Sequence, residues 1–339
     1  MDKKILVIGL GSMGNRRIRC LQFLGIHNIV GFDTREDRRK NSFELYKISV
    51  SDDFNDLIKK QAFDAWIISV PPDCHHIYMK QAILHNVPAF IEASVVDTDM
   101  IDIMTSASLK NILLAPSCTL YFHPAVKAIF DIVRKNELGK ISSVLYHSGQ
   151  YLPDWHTYEP VEDYYVSKNA TGGAREIVPF ELTWLTQMLG FPQRITGFYK
   201  KTIEILGAED IDDTYCLLLD YQSFLMSLTV DVVSRVATRR LTINGSEKQL
   251  VWNWDVDAIQ IFDSSTGMWS NLNYEIKAAQ NGYNKNITEG MYIEEMETFL
   301  NFSFKGGLWP SSLEHDHKVL RILYLAETSS DSDTIMPFK

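Results

Sequence analysis

Short apolar runs alternate with amphipathic stretches along the first 120 residues. Each run has the length and the Val, Ile and Leu content of a buried parallel strand. The runs lie at 5–8, 29–32, 65–70, 89–91 and 112–115. Stretches between them, such as 77–85, space their apolar residues as a helix does. This alternation predicts a doubly wound parallel sheet with right-handed crossovers, the Rossmann arrangement of the α/β class.

The pattern changes near residue 141, where strand-like segments begin to follow one another over short turns. These segments lie at 143–146, 195–199, 215–221, 224–230, 239–244 and 250–252. Consecutive strands of this kind predict a mostly antiparallel, open sheet. Helical periodicity predicts three helices, at 180–189, 291–302 and 313–326, and the polar tail 329–339 is expected to be frayed.

A length of 339 residues suits two domains, which we place at 1–120 and 121–339. The second is expected to be an α+β domain, because its strands and helices do not alternate. The formal net charge of −10 argues against binding to a nucleic-acid backbone. No apolar run reaches the roughly 18 residues of a membrane span.

The compartment is expected to be the cytoplasm. The apolar run at the amino terminus stops at Gly9, too early for a secretory signal peptide. The four cysteines lie far apart and form no CxxC pair, as expected of reduced thiols rather than disulfides or a zinc site. The histidines at 315 and 317 are interpreted as part of a polar helix start, so no metal site is expected.

A glycine motif joins the first predicted strand to the first predicted helix. The residues with assigned roles are Gly9, Gly11, Ser12, Met13 and Gly14. In this context the first glycine allows the tight turn, the second lets the backbone approach a pyrophosphate, and the third lets the helix pack closely. The pyrophosphate would meet backbone amides at the positive end of the helix, over residues 12–14. The competing interpretation is a glycine turn without a ligand.

An acidic residue, Asp33, follows the second strand, 19 positions after Gly14. A carboxylate there would accept hydrogen bonds from the adenosine ribose and repel a 2′-phosphate. NAD is therefore the expected cofactor. NADP remains the alternative, because Arg35 is close enough in sequence to bind a 2′-phosphate.

Four landmarks in the same order resemble the Gfo/Idh/MocA oxidoreductases, and together they cover most of the chain. They are the glycine motif with Asp33, the segment 70–75 with Pro71 and His75, the segments 122–126 and 137–141, and the segment 172–174 before a helix that ends at 189–190. The resemblance implies a Rossmann domain followed by a substrate-binding and oligomerisation domain. It also implies a homodimer or homotetramer that buries one apolar face of the second sheet.

The resemblance fails at two positions that carry family chemistry. Family members usually have Glu-Lys-Pro after the fifth strand, and this chain has Glu92, Ala93 and Ser94. Where members carry a catalytic histidine, this chain has Phe180. Glu92 and Ala93 are still expected to line the cofactor, with Pro71 and His75 in the neighbouring turn.

Oxidation of an alcohol needs a group that accepts the hydroxyl proton. The segment 154–181 faces the nicotinamide in the family, and it supplies the candidates His156, Lys168, Arg175, Glu176 and Glu181. We expect one of the first three to enter the space left by Ala93 and one of the two glutamates to orient it. Tyr165 is a further candidate for proton transfer. Each of these residues also has a purely structural interpretation as a packing, capping or solvated side chain.

The resemblance implies an NAD-dependent oxidoreductase that transfers a hydride to or from a sugar, a sugar derivative or a cyclitol. The missing lysine and histidine leave a second hypothesis open, a dinucleotide-binding protein without catalytic activity. A third hypothesis is another NAD-dependent chemistry, such as hydrolysis or elimination through transient oxidation.

Overall fold

The computed structural model describes residues 3–155, 159–275 and 288–339. These residues form two compact units. The first comprises residues 1–119 together with 291–317, and the second comprises 120–290 together with 318–339. Among the described helices, none has both the length and the apolar content that a membrane crossing requires.

The first unit is built on a six-stranded parallel sheet, as the alternating pattern predicts. Its strands are β1 (Ile5–Ile8), β2 (Ile29–Phe32), β3 (Ser49–Ser51), β4 (Ala65–Ile68), β5 (Ala89–Ile91) and β6 (Leu114–Pro116). The spatial order is β3-β2-β1-β4-β5-β6, so the order reverses between β1 and β4. All four residues of β1 are completely buried, since both faces of such a sheet are covered by helices.

Five helices connect these strands. They are α1 (Ser12–Phe23), α2 (Glu36–Tyr46), α3 (Phe54–Lys60), α4 (His75–His85) and α5 (Met100–Lys110). The strand predicted at 65–70 ends two residues earlier, at Ile68, and a short 3₁₀ turn at Pro72–Cys74 leads into α4. Proline has no backbone N–H to continue the ladder, which explains a strand that stops before the proline pair.

The second unit opens with α6 (Pro124–Arg134) and contains a nine-stranded sheet. Its strands are β7 (Ile141–Gly149), β8 (Arg194–Lys200), β9 (Thr214–Asp220), β10 (Leu225–Asp231), β11 (Thr238–Gly245), β12 (Lys248–Asn253), β13 (Ala258–Asp263), β14 (Met268–Asn273) and β15 (Met336–Pro337). The spatial order is β14-β13-β12-β11-β7-β10-β9-β8-β15. Every pair is antiparallel except β7 with β10, which confirms the predicted mostly antiparallel sheet.

The remaining helices are α7 (Ala174–Leu189), α8 (Glu289–Lys305) and α9 (Leu313–Ser332). Helix α7 begins six residues before the predicted start at 180 and includes Pro179. A single proline removes one helical hydrogen bond, and the burial of Val178, Leu182 and Leu185 offsets that loss.

The expectation of a frayed tail is wrong. Helix α9 continues to Ser332, and β15 then pairs with β8 at the edge of the sheet. The Phe338 amide donates to the Gln193 carbonyl at 2.8 Å, and the Phe338 ring stacks on Phe191 with centroids 5.4 Å apart. The polar composition of the tail gave the wrong prediction, because the residues that hold the tail, Phe191 and Gln193, lie more than a hundred positions away in sequence.

Candidate functional site

The glycine motif forms the turn between β1 and α1. Gly9 has φ of +93°, a conformation that side chains rarely adopt, and a Cβ there would lie 2.5 Å from the Ser69 carbonyl oxygen. A Cβ at Gly14 would overlap the Gly9 carbonyl. The first helical bond is donated by Asn15 to the Gly11 carbonyl at 3.0 Å, so the amides of residues 12–14 point out of the helix N-terminus. This turn can bind the phosphates of a dinucleotide.

Asp33 lies at the end of β2 beside that turn and is only 7% exposed. Its Oδ2 accepts a hydrogen bond from the Leu10 amide at 2.7 Å, and its Oδ1 accepts one from the Arg35 amide at 2.8 Å. The carboxylate is thereby fixed next to the glycine turn, where an adenosine ribose would lie in a Rossmann protein.

Three arginines follow Asp33, and each has different contacts in the structure. Arg35 forms an exposed ion pair with Asp37 at 2.6 Å, and this hydrogen bond lowers the pKa of Asp37 to about 2. Arg39 donates to the Asp33 and Thr34 carbonyls. Arg38, which the sequence interpretation missed, has its Nη1 3.3 Å from where a Gly11 Cβ would lie. Arg38 rather than Arg35 therefore lies against the glycine turn.

The predicted residues Pro71 and His75 belong to the turn after β4. Pro71 is the residue before the 3₁₀ turn, and the Nε2 of His75 lies 3.0 Å from the Val70 carbonyl. Burial lowers the pKa of His75 to about 4, so its imidazole is neutral. A neutral ring with Nε2 donating to Val70 holds the shape of this turn and brings no charge to it.

A buried group of three charges lies where β5 ends. The guanidinium of Arg17 donates to both oxygens of Glu92, at 2.7 and 2.8 Å, and its Nη1 donates to Glu295 at 2.8 Å. The side chains of Arg17 and Glu295 are completely buried, and that of Glu92 is 12% exposed. We call these residues the Arg17 cluster. The sequence indicated Glu92 alone, because the other two lie far from it along the chain.

Glu295 also connects the cluster to the segment after β6. It accepts hydrogen bonds from the Ser117 hydroxyl, the Cys118 amide and the Thr119 hydroxyl, at 2.7–3.1 Å. Ser69, after β4, donates to Glu92 at 3.1 Å. The cluster therefore joins α1 to the carboxyl ends of three neighbouring strands.

In the second unit, Glu181 is completely buried and receives four hydrogen bonds. The donors are Tyr146 at 2.6 Å, Ser148 at 2.8 Å, Trp184 at 3.1 Å and Arg239 at 2.7 Å. Its two oxygens are thus engaged by the surrounding sheet and helix. This arrangement supports a positioning role for Glu181 rather than direct contact with a ligand.

Arg175 is also engaged within the second unit. It binds Glu327 through Nε at 2.7 Å and Nη2 at 3.2 Å, and Tyr215 donates to the same carboxylate at 3.0 Å. The guanidinium of Arg175 therefore makes its bidentate contact with a carboxylate of the same unit, that of Glu327. Lys168 is exposed, and His156 lies outside the described residues.

Glu176 differs from the other candidates in its surroundings. Its Oε1 accepts a hydrogen bond from the Tyr165 hydroxyl at 2.5 Å. Its Oε2 is buried and has no hydrogen-bond partner among the described residues. Burial raises the pKa of Glu176 to about 7. A carboxyl with this pKa can accept and release a proton near neutral pH.

Within the described parts of the chain, no group of three or more His, Cys, Asp or Glu side chains could hold a metal ion. The four cysteines are free thiols. In the first turn of α9, Asp316 is 4% exposed and bonded to Ser94, and burial raises its pKa to about 6. Asp316 therefore adds an acidic group beside the segment that follows β5.

A parallel sheet that reverses order at β1, with a glycine turn and an acidic residue after β2, defines a dinucleotide-binding fold. Residues 3–101 match the family model described as an oxidoreductase family with an NAD-binding Rossmann fold. Residues 126–251 match the GFO/IDH/MocA C-terminal domain. The chain belongs to the Gfo/Idh/MocA family of NAD-binding oxidoreductases.

Solved structures share the fold at low sequence identity. An oxidoreductase from Agrobacterium radiobacter in complex with NAD⁺, L-tartaric acid and magnesium is 15% identical, with a TM-score of 0.87 over 100% of this chain and 99% of that chain. Levoglucosan dehydrogenase in complex with NADH is 14% identical, with a TM-score of 0.84 over both whole chains. A putative myo-inositol dehydrogenase from Sinorhizobium meliloti 1021 is 16% identical, with a TM-score of 0.76 over 99% and 100%. None of the curated protein sequences matches the chain.

Proposed function

We propose that the protein is an NAD-dependent dehydrogenase that transfers a hydride to or from a CH–OH carbon of a sugar, a sugar derivative or a cyclitol. The observation that carries the proposal is the glycine turn with the fixed carboxylate of Asp33 beside it. Bound NAD would supply the hydride acceptor, and the protein would orient it and handle the substrate proton. Residues 12–14 would bind the pyrophosphate, with Pro71, His75, Glu92 and Ala93 lining the nicotinamide half.

The preference for NAD over NADP rests on charge at the adenosine end. Asp33 is held by two backbone amides, so it cannot easily turn away from a 2′-phosphate. Arg35, the residue that would favour NADP, is instead paired with Asp37. Arg38 lies against Gly11, where it would supply positive charge to a bound pyrophosphate. These contacts support NAD as the cofactor.

Proton transfer is assigned to Glu176 together with Tyr165. In oxidation the substrate hydroxyl gives its proton to the Tyr165 oxygen, while the Tyr165 proton moves to Glu176 across the 2.5 Å hydrogen bond. Protonated Glu176 is then stable near neutral pH because its pKa is raised to about 7. His156 and Lys168 are the other proton-transfer candidates, and we propose positioning roles for Arg175 and Glu181.

The substrate class rests on the relatives. Levoglucosan dehydrogenase has been crystallised with levoglucosan, and another neighbour is described as a putative myo-inositol dehydrogenase. Both names refer to polyhydroxylated ring compounds. We therefore propose a ligand of this kind, and the free cysteines support a reducing compartment such as the cytoplasm.

A non-catalytic dinucleotide-binding protein is the second candidate, and two features favour it. Ala93 and Phe180 stand where the resemblance implies a lysine and a histidine. Arg175 and Glu181, which could compensate for them, are both engaged with internal partners.

Binding and turnover distinguish the two candidates. NADH and NADPH are titrated by calorimetry into the wild type, G11V and S106V, an exposed control on α5. G11V should abolish binding, because its side chain would occupy the pyrophosphate position. Unchanged NADH affinity in G11V would refute the cofactor site.

Turnover is then measured at 340 nm with NAD⁺ and a panel of aldoses, sugar acids, anhydrosugars and inositols. With an active substrate, E176Q and Y165F should lower kcat/KM by roughly a hundredfold or more while NADH affinity stays within about twofold. H156A and K168A test the other candidates in the same way. Tight NADH binding without turnover on any compound would favour the non-catalytic candidate.

A further inference from the structure

The Arg17 cluster carries a defined net charge. Arginine keeps its positive charge in proteins. Burial acts to lower the pKa of Arg17, but the charges of Glu92 and Glu295 outweigh it and raise that pKa further. Both oxygens of Glu92 accept from the guanidinium, and both oxygens of Glu295 accept from N–H or O–H donors. Neither carboxyl needs a proton to satisfy its contacts. Two carboxylates and one guanidinium leave a net charge of one negative unit.

The cluster lies at the ligand-binding edge of the sheet. Ligands of doubly wound sheets bind beyond the carboxyl ends of the strands, across the point where strand order reverses. Here that point is between β1 and β4. Asp33 places the adenosine half over β1 and β2, so the nicotinamide half lies toward β4, β5 and β6. Glu92 is the first residue after β5, and its side chain retains 12% exposure.

The other buried cation of α1 lies on the phosphate side. Arg16 Nη1 is 3.8 Å from the sulfur of Met13, a residue of the glycine turn, and its guanidinium lies over the Tyr292 ring at 4.2 Å. Bound pyrophosphate would lie on the Arg16 side of Tyr292 and would bring negative charge there. Arg17 lies on the Glu92 side, between its two carboxylate partners.

Arg16 and Arg17 are the positive charges near Glu92 that the described residues supply, and their guanidinium groups lie over the same Tyr292 ring. His75 is neutral, as its low pKa requires. Asp316, beside Ser94, carries further negative charge above about pH 6. Apart from these two arginines, the titratable groups just named beside Glu92 are neutral or acidic near pH 7.

We propose that Glu92, held by Arg17 and Glu295, makes the protein favour the oxidised form of the nicotinamide cofactor. The ring of NAD⁺ carries a positive charge that the ring of NADH lacks, and the rest of the two molecules has the same charge. A fixed negative charge near the ring stabilises only the oxidised form. This inference rests on the proposed function, because it requires that the site binds NAD.

The test compares equilibrium binding of the two cofactor forms without substrate. Dissociation constants for NAD⁺ and NADH are measured by calorimetry for the wild type, E92Q, E92D and E297Q at pH 7.5. Glu297 is an exposed residue on the same helix as Glu295, so E297Q removes an equal charge outside the cluster. Thermal melts establish that each variant is folded.

The wild type should bind NAD⁺ at least as tightly as NADH. E92Q should shift the ratio of the two affinities at least tenfold toward NADH, which corresponds to about 30 mV for a two-electron couple. E92D should retain most of the wild-type ratio, and E297Q should leave it unchanged. This pattern supports the inference.

Three results would overturn the inference. The first is a wild type that binds NADH more than tenfold tighter than NAD⁺. The second is an affinity ratio in E92Q that lies within threefold of the wild-type ratio. The third is a shift of this ratio in E297Q as large as that in E92Q. The wild-type measurement can overturn the inference even when E92Q does not fold. Failure of the proposed function looks different, because the wild type would then bind neither form.

Discussion

At the scale of single residues, Asp33 shows how the surroundings fix the position of a short side chain. Two amides from different segments hold its oxygens, at 2.7 and 2.8 Å. A fixed carboxylate discriminates against a phosphate more strongly than a mobile one, because it cannot move away to reduce repulsion.

Replacement of Asp33 by alanine should therefore relax the cofactor preference. We expect the affinity for NADPH relative to NADH to rise at least tenfold in D33A, as like-charge repulsion and the ribose hydrogen bonds are both lost. Calorimetric titration of both cofactors measures the ratio. E36A, which removes an exposed carboxylate three residues away, is the control and should leave the ratio unchanged. An unaltered ratio in D33A would remove Asp33 from the ribose site.

The raised pKa of Glu176 leads to a prediction that can be tested without a substrate. Burial raises its pKa from 4.5 to about 7, so the folded protein holds a proton that the unfolded chain releases between these values. The wild type should therefore lose stability relative to E176Q as pH rises from about 4.5 to about 7. The change should be on the order of 2 kcal/mol.

Urea unfolding of both proteins at pH 5 and pH 8 measures this difference. E204Q, at a side chain that is 84% exposed, is the matched control and should follow the wild type. A difference between wild type and E176Q that is independent of pH would show that Glu176 has an ordinary pKa.

The sequence predicted contacts within the site only where the two partners are close together along the chain. The glycine turn and Asp33 lie within 25 residues, and their spacing is itself the signal. Arg17 and Glu295 are separated by 278 positions, and no spacing relates them. Glu176 was named as a candidate, but its raised pKa depends on burial that only the folded structure provides.

At the scale of elements, apolar runs predicted the buried strands well, because a strand covered on both faces must be apolar throughout. The two strands β13 and β14 were not predicted. Every residue of β14 is exposed, so it has no buried face to produce an alternating pattern. Helix α7 was predicted to start late, because Pro179 indicates a break when read without the packing around it.

The C-terminal strand β15 should contribute to stability despite its two residues. Phe338 stacks on Phe191, and the guanidinium of Arg321 lies 5.3 Å from its ring. We expect F338A to lower the free energy of unfolding by about 1 kcal/mol, the usual value of an aromatic pair at a partly exposed position. Chemical denaturation measures the loss, with K339A as a neutral control. Equal stability of F338A and the wild type would mean that the tail is not docked in solution.

At the scale of the whole molecule, one face of the nine-stranded sheet bears exposed apolar side chains. Leu145, Leu218 and Leu225 lie on adjacent strands of this face, and Phe198 lies on β8 beside them, with exposures of 49% or more. Contiguous exposed apolar side chains on a sheet face are typical of protein interfaces.

We therefore expect a homodimer or homotetramer formed through this face. Light scattering at micromolar concentration should give a multiple of the 38.9 kDa chain. L218E places a charge at the centre of the face and should yield a monomer, whereas L109E, at an 83% exposed position on α5, should not change the mass. A wild-type protein of monomer mass would contradict the expectation.

The Arg17 cluster also bears on how the chain is made. Arg17 is translated long before Glu295 and the Phe299 ring that packs on Phe90, which follow it by more than 270 residues. Until then Arg17 has only one of its two carboxylate partners, Glu92. The final packing of the first unit must therefore wait until Glu295 has been translated, after residues 120–290. The first unit begins to be translated before the second, but it receives its last segment, 291–317, only after residues 120–290 of the second unit have been made.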